Sequence, residues 1–160
     1  VRFVLLDAVD ELDVGLRARG VKCVSLADDA LALHFPWAPI MPGALVLESL
    51  AQLGGVLIEE TAVAAGRPGE LAVLVGVDRA RFRRGAKPGD RLVLEVALTS
   101  NKELAATVSG RALIGEQVAA EAELVFVTNR DAPAELVAER ARWRALWRTG
   151  SGYPPVGPGR

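Results

Sequence analysis

Hydrophobic and polar positions follow two different periods along the chain, and each change of period divides it into elements. RFVLLDAVDEL (2–12) and LRARGVKCVSL (16–26) are rich in valine and leucine and flank the turn signal Asp13-Val14-Gly15, so they predict an antiparallel hairpin. From Gly43 to Ala65 the alternation stops. ALVLESLAQLGGVLIEETAVAA (44–65) is too long for a strand, contains no proline and stays apolar on almost every side until Glu59-Glu60. It predicts a buried helix with Pro42 in its first turn. Gly54-Gly55 lower helix propensity inside it and so mark a place of close backbone packing. GRPGE (66–70) ends the helix.

Alternation then returns. LAVLVGVDRARF (71–82) leads to the turn Lys87-Pro88-Gly89-Asp90, and RLVLEVALTS (91–100) follows with Leu92, Leu94, Val96 and Leu98 on one side. ELAATVSGRALI (103–114) and QVAAEAELVFV (117–127) are joined by Gly115-Glu116. In the last strand Glu121 and Glu123 share one face, and Ala120, Ala122, Leu124 and Phe126 the other. One long apolar helix with roughly six strands predicts an α+β domain, an antiparallel sheet wrapped around one long central helix, over residues 1–130. DAPAELVAERARWRALWR (131–148) predicts a C-terminal amphipathic helix capped by Asp131, with Trp143 and Trp147 one turn apart. The Gly/Pro-rich segment 149–160 is expected to be a disordered tail.

The totals narrow the classes. A chain of 160 residues that is 51% apolar and 24% charged is long enough for a single real core and is not disordered. A net charge of −1 gives no sign of a general nucleic-acid or membrane-surface binder. The lone cysteine, Cys23, allows no intrachain disulfide framework and fits a reducing cytoplasm. Acids at Asp7, Asp10 and Glu11 interrupt any signal-peptide pattern near the start. Glu48, Ser49 and Gln52 break the apolar region 44–58, which is too short and too polar to span a bilayer.

Candidate chemistry collects in HFPWAPIMPGALVLESLAQ (34–52). His34 is the one histidine in the chain, and Pro36, Pro39 and Pro42 stiffen the backbone that follows it. Such rigidity suits a side chain that must point one way, and imidazole suits proton abstraction near neutral pH. Glu48 sits among Leu45, Leu47, Leu50 and Ala51, a setting that favours a protonated carboxyl able to act as a general acid. Gln52, four residues on, shares its face and can orient it. Gly43, at the helix N-terminus, offers an unpaired N–H that a carbonyl oxygen can approach closely. A base, an acid and an oxyanion donor together suit removal of a proton beside a carbonyl and expulsion of a β-hydroxyl.

The same stretch resembles the signature of the 3-hydroxyacyl-acyl carrier protein dehydratases of type II fatty-acid synthesis, of the FabZ type. That family reads His-Phe-Pro-Gly-x-Pro-Ile-Met-Pro-Gly, with a glutamate five residues after the last glycine. VGVDRARFRRGAKPGDRLVLEV also resembles the family's segment after the helix, and the likeness covers about residues 2–128. The resemblance implies a hot-dog fold and a homodimer or trimer of dimers. It implies His34 as the base at C2, Glu48 as the acid at the C3 hydroxyl, Gly43 N–H as the thioester-binding donor and Gln52 as the residue orienting Glu48. In the family the two catalytic side chains of one site come from different subunits. The expected reaction turns (3R)-hydroxyacyl chains on acyl carrier protein into trans-2-enoyl chains, in fatty-acid or related polyketide synthesis, with no metal or organic cofactor.

An acyl carrier protein is acidic, so the basic run Arg79, Arg81, Arg83, Arg84 and Lys87 is the expected docking surface, with the arginines of 140–148 a weaker second candidate. Two positions depart from the family pattern: Leu33 and Trp37 stand where it carries glycines, adding bulk on either side of His34. Two other readings use the same fold. One is an acyl thioesterase, in which a helix carboxylate directs water onto the thioester. The other is a non-catalytic binder of acyl chains or acyl carrier protein.

Overall fold

The computed structural model describes residues 3–148, so the expected tail over 149–160 lies outside the described residues. Among these, β1 (Ala8–Asp13) and β2 (Arg17–Cys23) form the hairpin, and a short 3-10 turn at Asp29–Leu31 leads toward α1 (Gly43–Ala64). Then follow β3 (Leu71–Phe82), β4 (Arg91–Lys102), β5 (Ala105–Ile114), β6 (Gln117–Asn129) and α2 (Ala134–Arg148). The strands make one antiparallel sheet in the order β1-β2-β4-β5-β6-β3. No described helix is long and apolar enough to cross a membrane.

Period-two alternation decides which sheet face meets α1. Leu92, Leu94 and Val96 of β4, Val108 and Ala112 of β5, and Ala120, Ala122, Leu124 and Phe126 of β6 are all buried with Leu50, Leu53, Val56 and Leu57 of the helix. Small side chains on the sheet let the helix come close. A Cβ on Gly110 would lie 3.4 Å from Leu50, and one on Gly54 would lie 3.2 Å from the Phe126 ring. The opposite face carries a charge row that crosses every strand in register: Glu11, Arg19, Glu95, Arg111, Glu121, Arg81. Its signs alternate, with Arg19–Glu11 at 3.1 Å and Arg111–Glu95 at 2.7 Å, which favours this register and weakens as salt rises.

Strand β3 lies at the sheet edge and carries two bulges, between Leu74 and Gly76 and between Asp78 and Arg81. Val73, Leu74, Val75 and Val77 along it are exposed. The second bulge reverses which residues face α1. Val77 pairs with inward-facing Leu124 and Asp78 with outward Glu123; one extra residue then puts Arg81 opposite outward Glu121 and Phe82 opposite buried Ala120.

Three expectations change. The first strand begins at Ala8, because Asp7 turns its carboxylate onto the Cys23 N–H and the N–H groups of Leu5 and Leu6 go to Gln52 instead of to a neighbouring strand. The last helix begins at Ala134, not beside an Asp131 cap, since Pro133 restrains Ala132 and its own carbonyl accepts from Leu136 and Val137. Glu59, with which the apolar run of the central helix ends, is not at an exposed end but fully buried beneath α2. There its carboxylate meets Arg144 Nη1 at 2.5 Å, Arg140 Nη2 at 2.7 Å and the Ala72 N–H at 3.1 Å. Glu60 binds Arg144 Nε at 2.8 Å and Arg148 Nη1 at 2.6 Å. Gly55 makes room for this, since a Cβ there would lie 3.1 Å from Arg140 Nη2. Trp147 is buried and Trp143 packs against the same core.

Candidate active site

Between the 3-10 turn and α1, residues 34–42 form a loop that closes on itself. The Ile40 N–H donates to the His34 carbonyl at 2.9 Å, and His34 Nδ1 lies 3.0 Å from the Ile40 carbonyl oxygen. A carbonyl can only accept, so Nδ1 carries the hydrogen, and in the neutral ring Nε2 keeps its lone pair. The loop therefore holds the imidazole in the tautomer a general base requires. The ring stacks on Phe35 with centroids 4.4 Å apart, and Met41 N–H anchors the loop's far end to the Ala86 carbonyl at 2.7 Å.

Helix α1 starts where this loop ends. The N–H groups of Gly43 and Ala44 have no acceptor among the described residues, as expected of the first turn of a helix, and point out of its positive end. One turn on, Glu48 is half-buried, with Oε1 accepting from Gln52 Nε2 at 3.0 Å. Gln52 is itself held firmly. Its Oε1 accepts from Leu5 N–H at 2.9 Å and Leu6 N–H at 3.1 Å, and its Nε2 also donates to the Phe3 carbonyl at 3.2 Å. Two backbone donors on the oxygen side leave the amide one orientation, with its nitrogen toward Glu48. Within one chain, His34 and Glu48 make no hydrogen bond or ion pair with each other.

Replacing Gln52 with leucine should therefore do two things. It strands the Leu5 and Leu6 N–H groups, lowering stability by about 1–3 kcal/mol, and it frees Glu48 from its partner. Urea unfolding and the turnover rate of the folded fraction read the two effects separately. An unchanged midpoint and rate would contradict the arrangement.

The basic run divides. Arg79 and Arg83 pair with Glu123 and Glu121 of β6, and Arg84 Nη1 donates to Gln117 Oε1 at 2.9 Å. The hydrogen bond to Glu123, aided by that carboxylate's charge, holds the Arg79 guanidinium above its ordinary value. Arg81 and Lys87 are exposed with no ion-pair partner among the described residues. Of the arginines in 140–148, Arg140, Arg144 and Arg148 pair with Glu59 and Glu60, three cations against two carboxylates, so they are engaged within the chain itself. Leu33 and Trp37, 85% and 93% exposed, point their bulk into solvent and do not crowd His34 in the single chain. Two contributors had no motif to reveal them. The backbone of residues 3–6 secures Gln52, and the Phe82 ring lies against Gly43; a single aromatic inside Arg81-Phe82-Arg83-Arg84 was the available hint.

A six-stranded antiparallel sheet wrapped on one long helix, with a histidine loop feeding the helix N-terminus, defines a hot-dog protein. The FabA-like domain family matches residues 1–123. The chain belongs to this family, among the FabZ-type 3-hydroxyacyl-[acyl-carrier-protein] dehydratases. It is 40% identical over 125 residues to that enzyme from Caldanaerobacter subterraneus subsp. tengcongensis, covering 78% of this chain and 86% of the relative. To the one from Moorella thermoacetica it is 44% identical over 124 residues, covering 78% and 85%. A chain of the ApeI:P dehydratase heterocomplex from Xenorhabdus doucetiae superposes with a TM-score of 0.67 at 19% identity, covering 86% of this chain and 89% of that one, and shares the fold. Helix α2 lies beyond the span that the family matches.

Proposed function

We propose that the protein dehydrates (3R)-hydroxyacyl chains carried on acyl carrier protein to trans-2-enoyl chains, as a hydro-lyase of fatty-acid or related polyketide synthesis in the cytoplasm. The observation that carries this reading is the Nδ1–H bond from His34 to Ile40, which leaves Nε2 free to take a proton, in a loop that feeds the start of α1. His34 removes the C2 proton of the thioester, and the Gly43 N–H holds the carbonyl oxygen as negative charge develops on it. Glu48 gives its proton to the C3 hydroxyl, which departs as water. The C2–H electron pair becomes the C2–C3 double bond.

In this reading Glu48 comes from a second copy of the chain. That His34 and Glu48 share no hydrogen bond or ion pair within one chain favours that, as does the exposed apolar edge strand β3 (Val73, Leu74, Val75, Val77), which a sheet does not leave open without reason. The assembly is a homodimer, alone or repeated as a trimer of dimers. Acyl carrier protein docks against the unpaired charges of Arg81 and Lys87, with Arg79, Arg83 and Arg84 flanking them.

Mass spectrometry of a 3-hydroxyacyl and a trans-2-enoyl chain on acyl carrier protein tests the reaction. Loss of water from one and gain by the other is the expected result. Release of free acid would replace the reading with a thioesterase. No change at several chain lengths would replace it with a non-catalytic binder.

A further inference from the structure

Phe82 ends β3, away from the loop that carries His34, yet its ring lies directly on Gly43. A Cβ built at Gly43 would stand 2.7 Å from Cε1, 2.9 Å from Cδ1 and 3.0 Å from Cζ of that ring, closer than any carbon tolerates. With the ring in this place, any side chain at position 43 would have to displace it. The ring is also 55% exposed, so one side of it remains open to a ligand.

The backbone is arranged to put the ring there. Continued from Val77 and Asp78 without the second bulge, β3 would bring Arg81 opposite buried Ala120 and turn Phe82 away. The extra residue between Asp78 and Arg81 reverses that parity, and Arg79 within the bulge adopts φ 52°, a left-handed conformation unfavourable for a residue with a side chain. The chain beyond Phe82 then runs along the catalytic loop. A Cβ on Gly85 would touch Ile40 at 3.6 Å, and the Ala86 carbonyl accepts from Met41 N–H at 2.7 Å. Ile40 is the residue whose carbonyl fixes the His34 tautomer, so one segment, 82–86, braces both the base and the helix N-terminus.

We infer that Phe82 is a positioning residue for the thioester. Its ring walls the space in front of the Gly43 N–H, excludes water from that donor, and gives the sulfur and C2 of the substrate an apolar surface to rest on. A donor shielded from water stabilises developing oxyanion charge more strongly than a hydrated one. The inference rests on the proposal that Gly43 N–H receives the thioester carbonyl.

The test compares Phe82→Ala, Phe82→Leu, Gly43→Ala and the double variant Gly43→Ala/Phe82→Ala in dehydration, each checked for thermal stability. An interaction made chiefly in the transition state predicts that Phe82→Ala lowers kcat about tenfold while KM moves less than about threefold. Phe82→Leu, which keeps an apolar wall, should recover most of that loss. Gly43→Ala should lose about a hundredfold, and the double variant should exceed it, because the new methyl takes the space the ring vacates. Wild-type kcat in Phe82→Ala, or a double variant no better than Gly43→Ala, would overturn the inference.

If the parent protein itself does not dehydrate, the proposed reaction fails and binding decides the matter. Affinity for trans-2-butenoyl pantetheine thioester, followed by NMR titration, should fall about twofold to threefold in Phe82→Ala, the modest ground-state share of the ring's contact. Unchanged affinity, or no binding of this thioester by the parent protein, would overturn the role of Phe82.

Discussion

Replacing His34 with alanine is expected to slow dehydration about 10²–10⁴-fold, the usual share of a positioned general base, while the protein folds as before. The imidazole contributes one hydrogen bond to a loop that has other anchors, the Ile40 N–H to the His34 carbonyl and the Met41 N–H to Ala86, so the loop should survive the substitution. Glu48→Gln should match it in effect. The amide preserves shape and a hydrogen bond to Gln52 but has no acidic proton to give. Appearance of the enoyl thioester by ultraviolet absorbance measures both rates. Activity within threefold of the parent in either variant would remove that residue from the chemistry.

Arg144→Ala should destabilise the fold by about 3 kcal/mol or more, the cost of leaving a buried carboxylate short of its partner. The Glu59 side chain has no exposure and Arg144 has 6%, and the 2.5 Å contact between them joins α1 to α2 with no intervening solvent. Arg140 and the Ala72 N–H still reach Glu59, which limits the loss. Arg148→Ala, half-exposed at the edge of the same network, should cost no more than about 1 kcal/mol. Replacing Glu59 and Arg144 together by leucine removes the buried ion pair but strands the Ala72 N–H and takes the carboxylate from Arg140, so it should still cost about 1–3 kcal/mol. Urea midpoints compare the three. Equal shifts for Arg144→Ala and Arg148→Ala would show that the network is not what secures α2.

The legible parts of this protein are those whose cause is local. Leu92, Leu94 and Val96 alternate with Val93 and Glu95, and that period alone assigns β4 its inner face. Pro42 and the proline-free run from 43 to 67 set α1 at Gly43–Ala64, one residue short of the expected end. His34, Gly43, Glu48 and Gln52 could be read as a group because the loop and the first helical turns hold them in sequence. What escaped depended on distant partners. Glu59 reads as an ordinary polar end to an apolar helix, and its burial is set by arginines some eighty residues later. Residues 3–6 look like a strand, and their backbone is claimed by a side chain of α1. Phe82 shares the face of Leu74 only because the second bulge of β3 undoes the shift made by the first, and the sequence marks neither extra residue.

The central claim is that one active site takes its base from one copy of the chain and its acid from another. Mixing inactive His34→Ala with inactive Glu48→Gln, with subunit exchange proven by mass-tagged chains, tests it directly. Half the two-fold dimers would then be mixed, each with one of two sites intact, so activity should return to about one quarter of the parent's. No recovery after complete exchange would contradict a shared site and place both groups within a single chain.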